Sequence, residues 1–164
     1  MLKGKKSIAK NIGLDDKSVD EVHGLLSRHC ANIHALYLQT VNFHWNMEDP
    51  RFFFLHELLD TQYHALVEDL DLVAETIRQS GRKAPASLQE FKKLMTLEDY
   101  TGTYTADEMI AALVNSYDYM LREFRKDIDR TADLGDIGSS DMLTELLRSF
   151  LKRAWFLRSH LAKG

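Results

Sequence analysis

The segment from His44 to Glu75 concentrates side chains that can bind metal ions, namely His44, His56, Asp60, Asp71 and Glu75. Imidazole nitrogen and carboxylate oxygen together suit iron, manganese and zinc. His56 and Asp60 are four residues apart, as are Asp71 and Glu75, so each pair can share one face of a helix. The spacing permits a metal site, but taken alone it favours the alternative of solvated surface carboxylates beside two partly buried packing histidines.

Helix geometry limits how such a site can form. With His56 at zero and 100° per residue, the three carboxylates fall at about 40°, 60° and 100°, beside an apolar stripe near 300°. The rise per residue places His56 and Asp71 roughly 22 Å apart, too far to bind one ion. An antiparallel second copy could set His56 and Asp60 against the partner's Asp71 and the partner's Glu75. The geometry therefore predicts two equivalent sites shared between two subunits.

A site inside one bundle is the other possible arrangement. Ordinary di-iron sites of that kind use Glu-x-x-His on two helices, and no histidine here follows a glutamate by three residues. The second half of the chain adds only His160, near its end. An interior site is therefore disfavoured. His44 precedes the turn into the second helix and can approach His56, while Trp45 beside it could shield a bound metal.

Hydrophobic periodicity and capping signals predict an all-α domain of four long helices. The first runs from Ser18 to about Asn46, the second from Pro50 to Gly81, the third from Thr105 to about Leu134, and the fourth from just after Ser140 to about Ala162. Capping-box spacing starts at Ser18, Ser87 and Thr105, and the box at Ser87 predicts a short helix within the long second crossover. Residues 18–164 should thus form a four-helix bundle, preceded by a flexible arm over residues 1–17.

Composition sets broader limits. The chain has 164 residues, a net charge of −4 and one cysteine. One domain is expected at this length. Cys30 lies on an apolar helix face and is interpreted as a core residue. The start of the sequence has no export signal and no apolar run could span a bilayer, so we expect a cytoplasmic, non-membrane protein.

The first ten residues differ in charge from the rest, since they carry Lys3, Lys5, Lys6 and Lys10 and no acidic residue. The acidic balance of the whole chain argues against a generally basic nucleic-acid surface, so any DNA affinity must be local to this arm. An assembly that displays many arms would gain avidity that one arm lacks. The alternative is a tail that merely adds solubility.

The motif HWNMEDPRFFFLHELLD, followed by DLDLVAETI, resembles the signature of the Dps family, the DNA-binding branch of the ferritins found in starved cells. The resemblance extends over nearly the whole chain and implies a ferritin-like four-helix bundle with a short extra helix in the crossover. By the same resemblance, iron binds between subunits, and its ligands are His44, His56, Asp60, Asp71 and Glu75. Asp49 departs from the family, which usually has glycine before this proline, so the turn must form without glycine's freedom at positive φ.

The resemblance also implies an activity and an assembly. Such proteins form hollow shells of twelve subunits, oxidise ferrous iron, typically with hydrogen peroxide, and store a ferric mineral, which protects the cell and its DNA. Two alternatives stay open: a nucleoid-binding structural protein that acts through the Lys-rich arm, and a shell that only sequesters metal.

Two smaller groups of residues are less specific. Asp133, Asp136 and Asp141 surround the turn between the last two long helices, where the family has acidic threefold pores for iron entry. Ordinary capping is the alternative, especially for Asp141 in the first turn of the fourth helix. His64 falls at about 80° on the second helix, within the ligand arc, and is interpreted as a bystander.

Overall fold

Five α-helices make up the regular structure of residues 12–161, the part of the chain that the computed structural model describes. They are α1 (Asp16–Asn46), α2 (Phe52–Gln79), α3 (Leu88–Leu94), α4 (Ala106–Asp133) and α5 (Ile137–Leu161). No strand occurs within these residues. The predicted all-α bundle of four long helices with a short extra helix in the crossover is confirmed.

The four long helices pack as two hairpins that face each other. α1 lies along α2 and α4 lies along α5, and contacts of α1 with α4 and of α2 with α5 close the bundle. Its centre includes three aromatic side chains: the Phe150 ring centroid lies 5.2 Å from that of Tyr117 and 5.0 Å from that of Phe124. Burying each such side chain contributes on the order of 2 kcal/mol. No helix within residues 12–161 is long and apolar enough to cross a bilayer.

The crossover between α2 and α4 is held against α1 by its short helix. Ser87 caps α3 as predicted, with its side chain accepting from the Glu90 amide. Phe91 of α3 stacks on His34 of α1 at 4.4 Å. Asn32 accepts from the backbone amide of Thr96 at 2.7 Å, just after α3. The crossover therefore leaves α2 uncovered on its ligand-bearing side, because it packs onto α1.

The start of α1 differs from the prediction. The helix begins at Asp16, and its cap is Asp15, whose carboxylate accepts from the backbone amide of Ser18 at 2.9 Å and from its hydroxyl at 2.8 Å. The predicted capping box from Ser18 to Glu21 is wrong, because aspartate caps as well as serine and lies one turn earlier. Glu21 instead pairs with Arg130 of α4 at 2.6 Å.

The turn between α4 and α5 also differs. Gly135, at φ +83°, ends α4, and the amides of Gly135 and Asp136 bond back to Ala132 and Thr131, which is a Schellman motif. Asp136 then caps α5 by accepting from the Ser139 amide at 3.0 Å and its hydroxyl at 2.7 Å. Because α5 starts at Ile137, earlier than predicted, Asp141 lies beyond its first turn, so the alternative of a capping role for Asp141 is wrong.

The corner between α1 and α2 shows how the chain turns at Asp49 without glycine. Within residues 12–161 only glycines have positive φ, so Asp49 does not need that conformation. Its carboxylate instead accepts from the Arg51 amide at 2.7 Å and from the Arg51 guanidinium at 2.7 and 2.9 Å. These bonds lower the pKa of Asp49 to about 2. Arg51 also reaches Asp107, which joins this corner to the start of α4.

Candidate metal centre

The imidazole rings of His44 and His56 lie together where α1 ends and α2 begins. Their centroids are 3.7 Å apart at an interplanar angle of 18°. Nδ1 of His44 lies 3.0 Å from the backbone oxygen of His56, and Nδ1 of His56 lies 3.1 Å from that of His44. The structure therefore brings the two predicted histidines into direct contact.

These reciprocal hydrogen bonds determine which nitrogen can bind a metal. A carbonyl oxygen only accepts, so each Nδ1 carries the proton and each neutral ring keeps its lone pair on Nε2. Metal-binding histidines commonly donate their other N–H to a carbonyl in this way. The His44 carbonyl is also one of the last four of α1, which the helix itself leaves without a partner. The contact therefore gives a hydrogen-bond donor to a free carbonyl at the end of α1, and it also fixes the orientation of both candidate ligands.

Asp60 extends this half of the site by one helical turn. Tyr63 donates its hydroxyl to one Asp60 oxygen at 2.8 Å, and His64 Nδ1 lies 3.4 Å from the other. The Tyr63 ring also meets the His44 ring edge-on, with centroids 5.2 Å apart. The hydrogen bond to Asp60 raises the pKa of Tyr63. Tyr63 therefore contacts two candidate ligands, His44 on α1 and Asp60 on α2.

Tyr63 is a residue that sequence reasoning missed. Its position three residues after Asp60 and seven after His56 places it on the same side of α2. That spacing could have indicated a position near the site, but a tyrosine at helical spacing is more often a packing residue. Only the approach of α1, which brings His44 beside the phenol ring, gives it a role at the site.

Asp71 and Glu75 form a separate half farther along α2. Both side chains are exposed, and neither forms a hydrogen bond or ion pair with another residue in the range 12–161. Asp69, two residues before Asp71, is turned away and pairs with Arg153 of α5 at 2.6 Å. The two aspartates of the motif DLD therefore differ: Asp69 is held in an ion pair with α5, and Asp71 is free to act as a ligand within the described residues.

The two halves do not meet within one chain. Among residues 12–161, no group of three or more histidine, cysteine or acidic side chains is close enough to hold a metal ion. His44, His56 and Asp60 lie at one end of the face, while Asp71 and Glu75 lie at the other, roughly 22 Å away along the helix. Within the described residues of one chain, the five predicted ligands therefore cannot bind one ion together.

Large apolar side chains beside the ligands are exposed in the single chain. Trp45 is 75% exposed, Phe53 is 69% exposed and Val67 is 45% exposed. Trp45 therefore does not cover the histidines from within its own subunit. An apolar surface of this kind next to unpaired ligands is typical of an interface that another protein surface covers.

The remaining predicted residues have different surroundings. Asp136 uses both carboxylate oxygens to cap α5, whereas Asp133 and Asp141 are exposed at the same turn. Cys30 is 1% exposed, and burial raises the pKa of its thiol to about 11, which agrees with a core residue. The lysines proposed for DNA binding, Lys3, Lys5, Lys6 and Lys10, lie outside the described residues.

Comparisons with known proteins agree with this fold. The chain matches the ferritin-like domain family over residues 24–164. It is 35% identical over 153 residues to a low temperature-induced protein of Nostoc sp., covering 92% of this chain and 86% of that protein. It is 34% identical over 149 residues to the DNA protection during starvation protein of Agrobacterium fabrum, covering 90% and 92%. The solved structure of Dps from Mycobacterium smegmatis superposes with a TM-score of 0.88 at 31% identity, covering 93% and 92%.

Proposed function

Because the chain belongs to the Dps branch of the ferritin-like family, we propose that it oxidises ferrous iron and stores the ferric product inside a shell built from its own copies. By removing ferrous iron and peroxide together, this activity would protect the cell and its DNA from oxidative damage. The proteins that it resembles include several named for DNA protection during starvation.

One observation carries the proposal. His44 and His56 each place Nδ1 on the other's backbone carbonyl, so neither Nε2 has a hydrogen-bond partner within residues 12–161, and Asp60 follows His56 by one helical turn. Two imidazoles and one carboxylate make an incomplete ligand set for iron, which favours mixed nitrogen and oxygen donors. Asp71 and Glu75 offer the missing carboxylates, but only from a second chain. The proposed active form is therefore a two-fold pair with antiparallel α2 helices and two equivalent sites.

The ligand set favours oxidation of the substrate iron. Carboxylates stabilise the higher charge of ferric iron more than that of ferrous iron, so they lower the free energy of losing an electron. Two ferrous ions give one electron each to one hydrogen peroxide molecule, whose O–O bond breaks, and two protons complete two water molecules. Histidine, aspartate and glutamate leave open positions on the metal where the oxidant can reach it. The exposed Trp45 would then help to exclude water once a partner covers it.

The assembly follows from the same reasoning. A two-fold pair supplies two oxidation sites, and a closed shell of such pairs, which the family resemblance sets at twelve subunits, gives the ferric product an enclosed volume. Asp133 and Asp141 are exposed near the α4–α5 turn and are proposed to line the entry path for iron. Asp136 is a weaker candidate for that path, because both of its oxygens are already used in the cap.

Ferrous oxidation by the full chain tests the proposal. Initial rates are measured by ultraviolet absorbance of the ferric product, aerobically and anaerobically, with and without hydrogen peroxide. We expect peroxide to give the faster reaction and His44→Ala/His56→Ala to lower the rate at least about tenfold. The matched control is His160→Ala, a histidine on α5 outside the site, which should keep the natural rate. Equal rates in all three proteins would rule out the site.

DNA binding is a second candidate function, because four lysines and no acidic residue occupy the first ten positions. Many copies of this arm on one shell would raise the affinity by avidity, against the repulsion from an acidic body. In that case the protein would also act as a nucleoid-binding structural protein, and the arm would be required for it.

A further inference from the structure

The exposed face of α2 carries one continuous stripe of metal-ligating side chains. Its members recur every three or four residues and fall between about 40° and 120° on the helix: Glu57, Asp60, His64, Glu68, Asp71 and Glu75. Three of the six, Asp60, Asp71 and Glu75, are ligands in the proposed function, and no lysine or arginine occurs between Phe52 and Ile77. The stripe is therefore a strongly anionic surface interrupted by one histidine.

The stripe is also nearly symmetric about residue 66. Glu57 and Glu75 are equidistant from that position, as are His64 and Glu68, and Asp60 and Asp71 are centred half a residue away. In an antiparallel pair of α2 helices, such a sequence sets each residue opposite its counterpart. His64 would therefore face Glu68 of the partner subunit, close to the two-fold axis.

The conformation of His64 leaves a nitrogen available there. Its Nδ1 lies 3.0 Å from the backbone oxygen of Asp60, so this nitrogen is the donor and a neutral ring keeps its lone pair on Nε2. The ring stacks on Tyr63, with centroids 4.3 Å apart, and its side chain is 66% exposed. Nε2 has no hydrogen-bond partner within residues 12–161, and Glu68 is exposed without an ion pair in that range.

We propose that His64 and Glu68, together with His64 of the partner subunit and Glu68 of the partner subunit, form an additional divalent metal site on the two-fold axis. This inference rests on the antiparallel pairing in the proposed function. His64 and Glu68 are one turn apart on the same arc, so both can reach one ion. Two imidazoles and two carboxylates are a suitable four-ligand set for zinc or ferrous iron.

The axial site would be separate from the two oxidation sites. The His56–Asp60 half is centred about eight residues from the axis, which is roughly 12 Å along the helix. One ion cannot be shared over that distance. A cation at the axis would also offset the repulsion between two stripes that carry only carboxylates and histidine, so it would strengthen the pair as well as bind metal.

The test is equilibrium dialysis of the metal-free full chain with Co²⁺ under nitrogen, a redox-stable probe in that setting. The variants are Glu68→Gln and His64→Gln for the axis, His56→Ala for the oxidation sites and His160→Ala as control. We expect each axial variant to lose about one ion per two chains and to keep the ions that His56→Ala removes. Light scattering is the control that establishes whether each variant keeps the assembly of the natural chain.

Each outcome has a separate meaning. Natural stoichiometry in both axial variants, with loss only in His56→Ala, overturns the axial site and keeps the oxidation sites. Natural stoichiometry in His56→Ala overturns the oxidation sites of the proposed function. In crystals grown with Zn²⁺, the anomalous signal should include a peak on the two-fold axis in the natural chain and none there in Glu68→Gln. A peak that persists in the variant contradicts the assignment.

Discussion

A complementation experiment follows from the separation of the two half-sites on α2. One variant, His56→Ala, lacks a ligand of the histidine half but keeps the acidic half. The other, Asp71→Ala/Glu75→Ala, lacks the acidic half but keeps both histidines. Each variant alone should be inactive, because every site in a uniform pair combines an intact half with a damaged half. The substituted residues are exposed or half-buried, so both chains should fold.

The recovery in mixed shells has a definite size. When the two chains are present in equal amounts and pair at random, about half of the two-fold pairs are mixed. In a mixed pair, one site receives both damaged halves and the other receives both intact halves. About one quarter of all sites should therefore be complete, and the rate should return to about a quarter of the natural rate.

The assay compares three preparations of equal total protein by the initial rate of ferrous oxidation with peroxide. The first contains shells from co-expression of the two differently tagged chains, purified through both tags. The second is a mixture of the two separately assembled variants, which controls for residual activity without mixed pairs. The third is the natural protein. No recovery in the co-expressed shells would refute the shared site, and so would full activity in either variant alone.

Three further predictions concern other parts of the chain. Tyr63→Phe should weaken ferrous binding about tenfold in titrations, because Asp60 loses the bond that orients it, and an unchanged affinity would contradict that role. Asp127→Asn should lower the free energy of unfolding by about 2 kcal/mol at neutral pH. Burial raises the pKa of Asp127, but the bonds from His29 and Arg28 outweigh it and hold the pKa below 3.8. The difference in urea midpoints should therefore persist down to about pH 4 and close as the pH falls further; closure between pH 7 and pH 5 would contradict this role of Asp127. Deleting residues 1–12 should abolish retardation of DNA in gels at low salt, and retention by the shortened chain would locate DNA binding elsewhere.

Helix number, order and core were predictable from sequence because a 3.6-residue period is a strong local signal. Leu59, Leu66 and Ile77, which define the apolar stripe of α2, are all at most 1% exposed. The caps were less predictable, since several residues with equivalent chemistry lie within one turn. Asp15 rather than Ser18, and Asp136 rather than Asp141, cap their helices. Which residue caps depends on how the preceding chain enters the helix, and that is set by tertiary packing.

The sequence predicted members for the candidate site but not the contacts between them. The helix wheel placed Asp60, Asp71 and Glu75 on one arc of α2 outside the core, and it also showed that one chain could not bring them to one ion. It could not show that each histidine donates to the other's carbonyl, because that contact depends on the approach of two helix ends. Tyr63 was missed for the same reason. Hydrophobic periodicity does not predict contacts between residues that are far apart in the sequence.

The residues that stabilise the fold and the residues proposed to bind metal lie on different faces of α2. Leu59, Leu66 and Ile77 of the bundle-facing stripe of α2 are buried, while the Asp71 and Glu75 side chains are exposed and form no hydrogen bond or ion pair within residues 12–161. Changes on the ligand arc should therefore alter activity with little effect on folding of the chain. The arc has no basic residue to balance its carboxylates, so the charges proposed to bind iron would also oppose the proposed pairing of two copies. Pairing and metal binding should be thermodynamically linked, because a cation that bridges two copies favours the pair as much as the pair favours the cation.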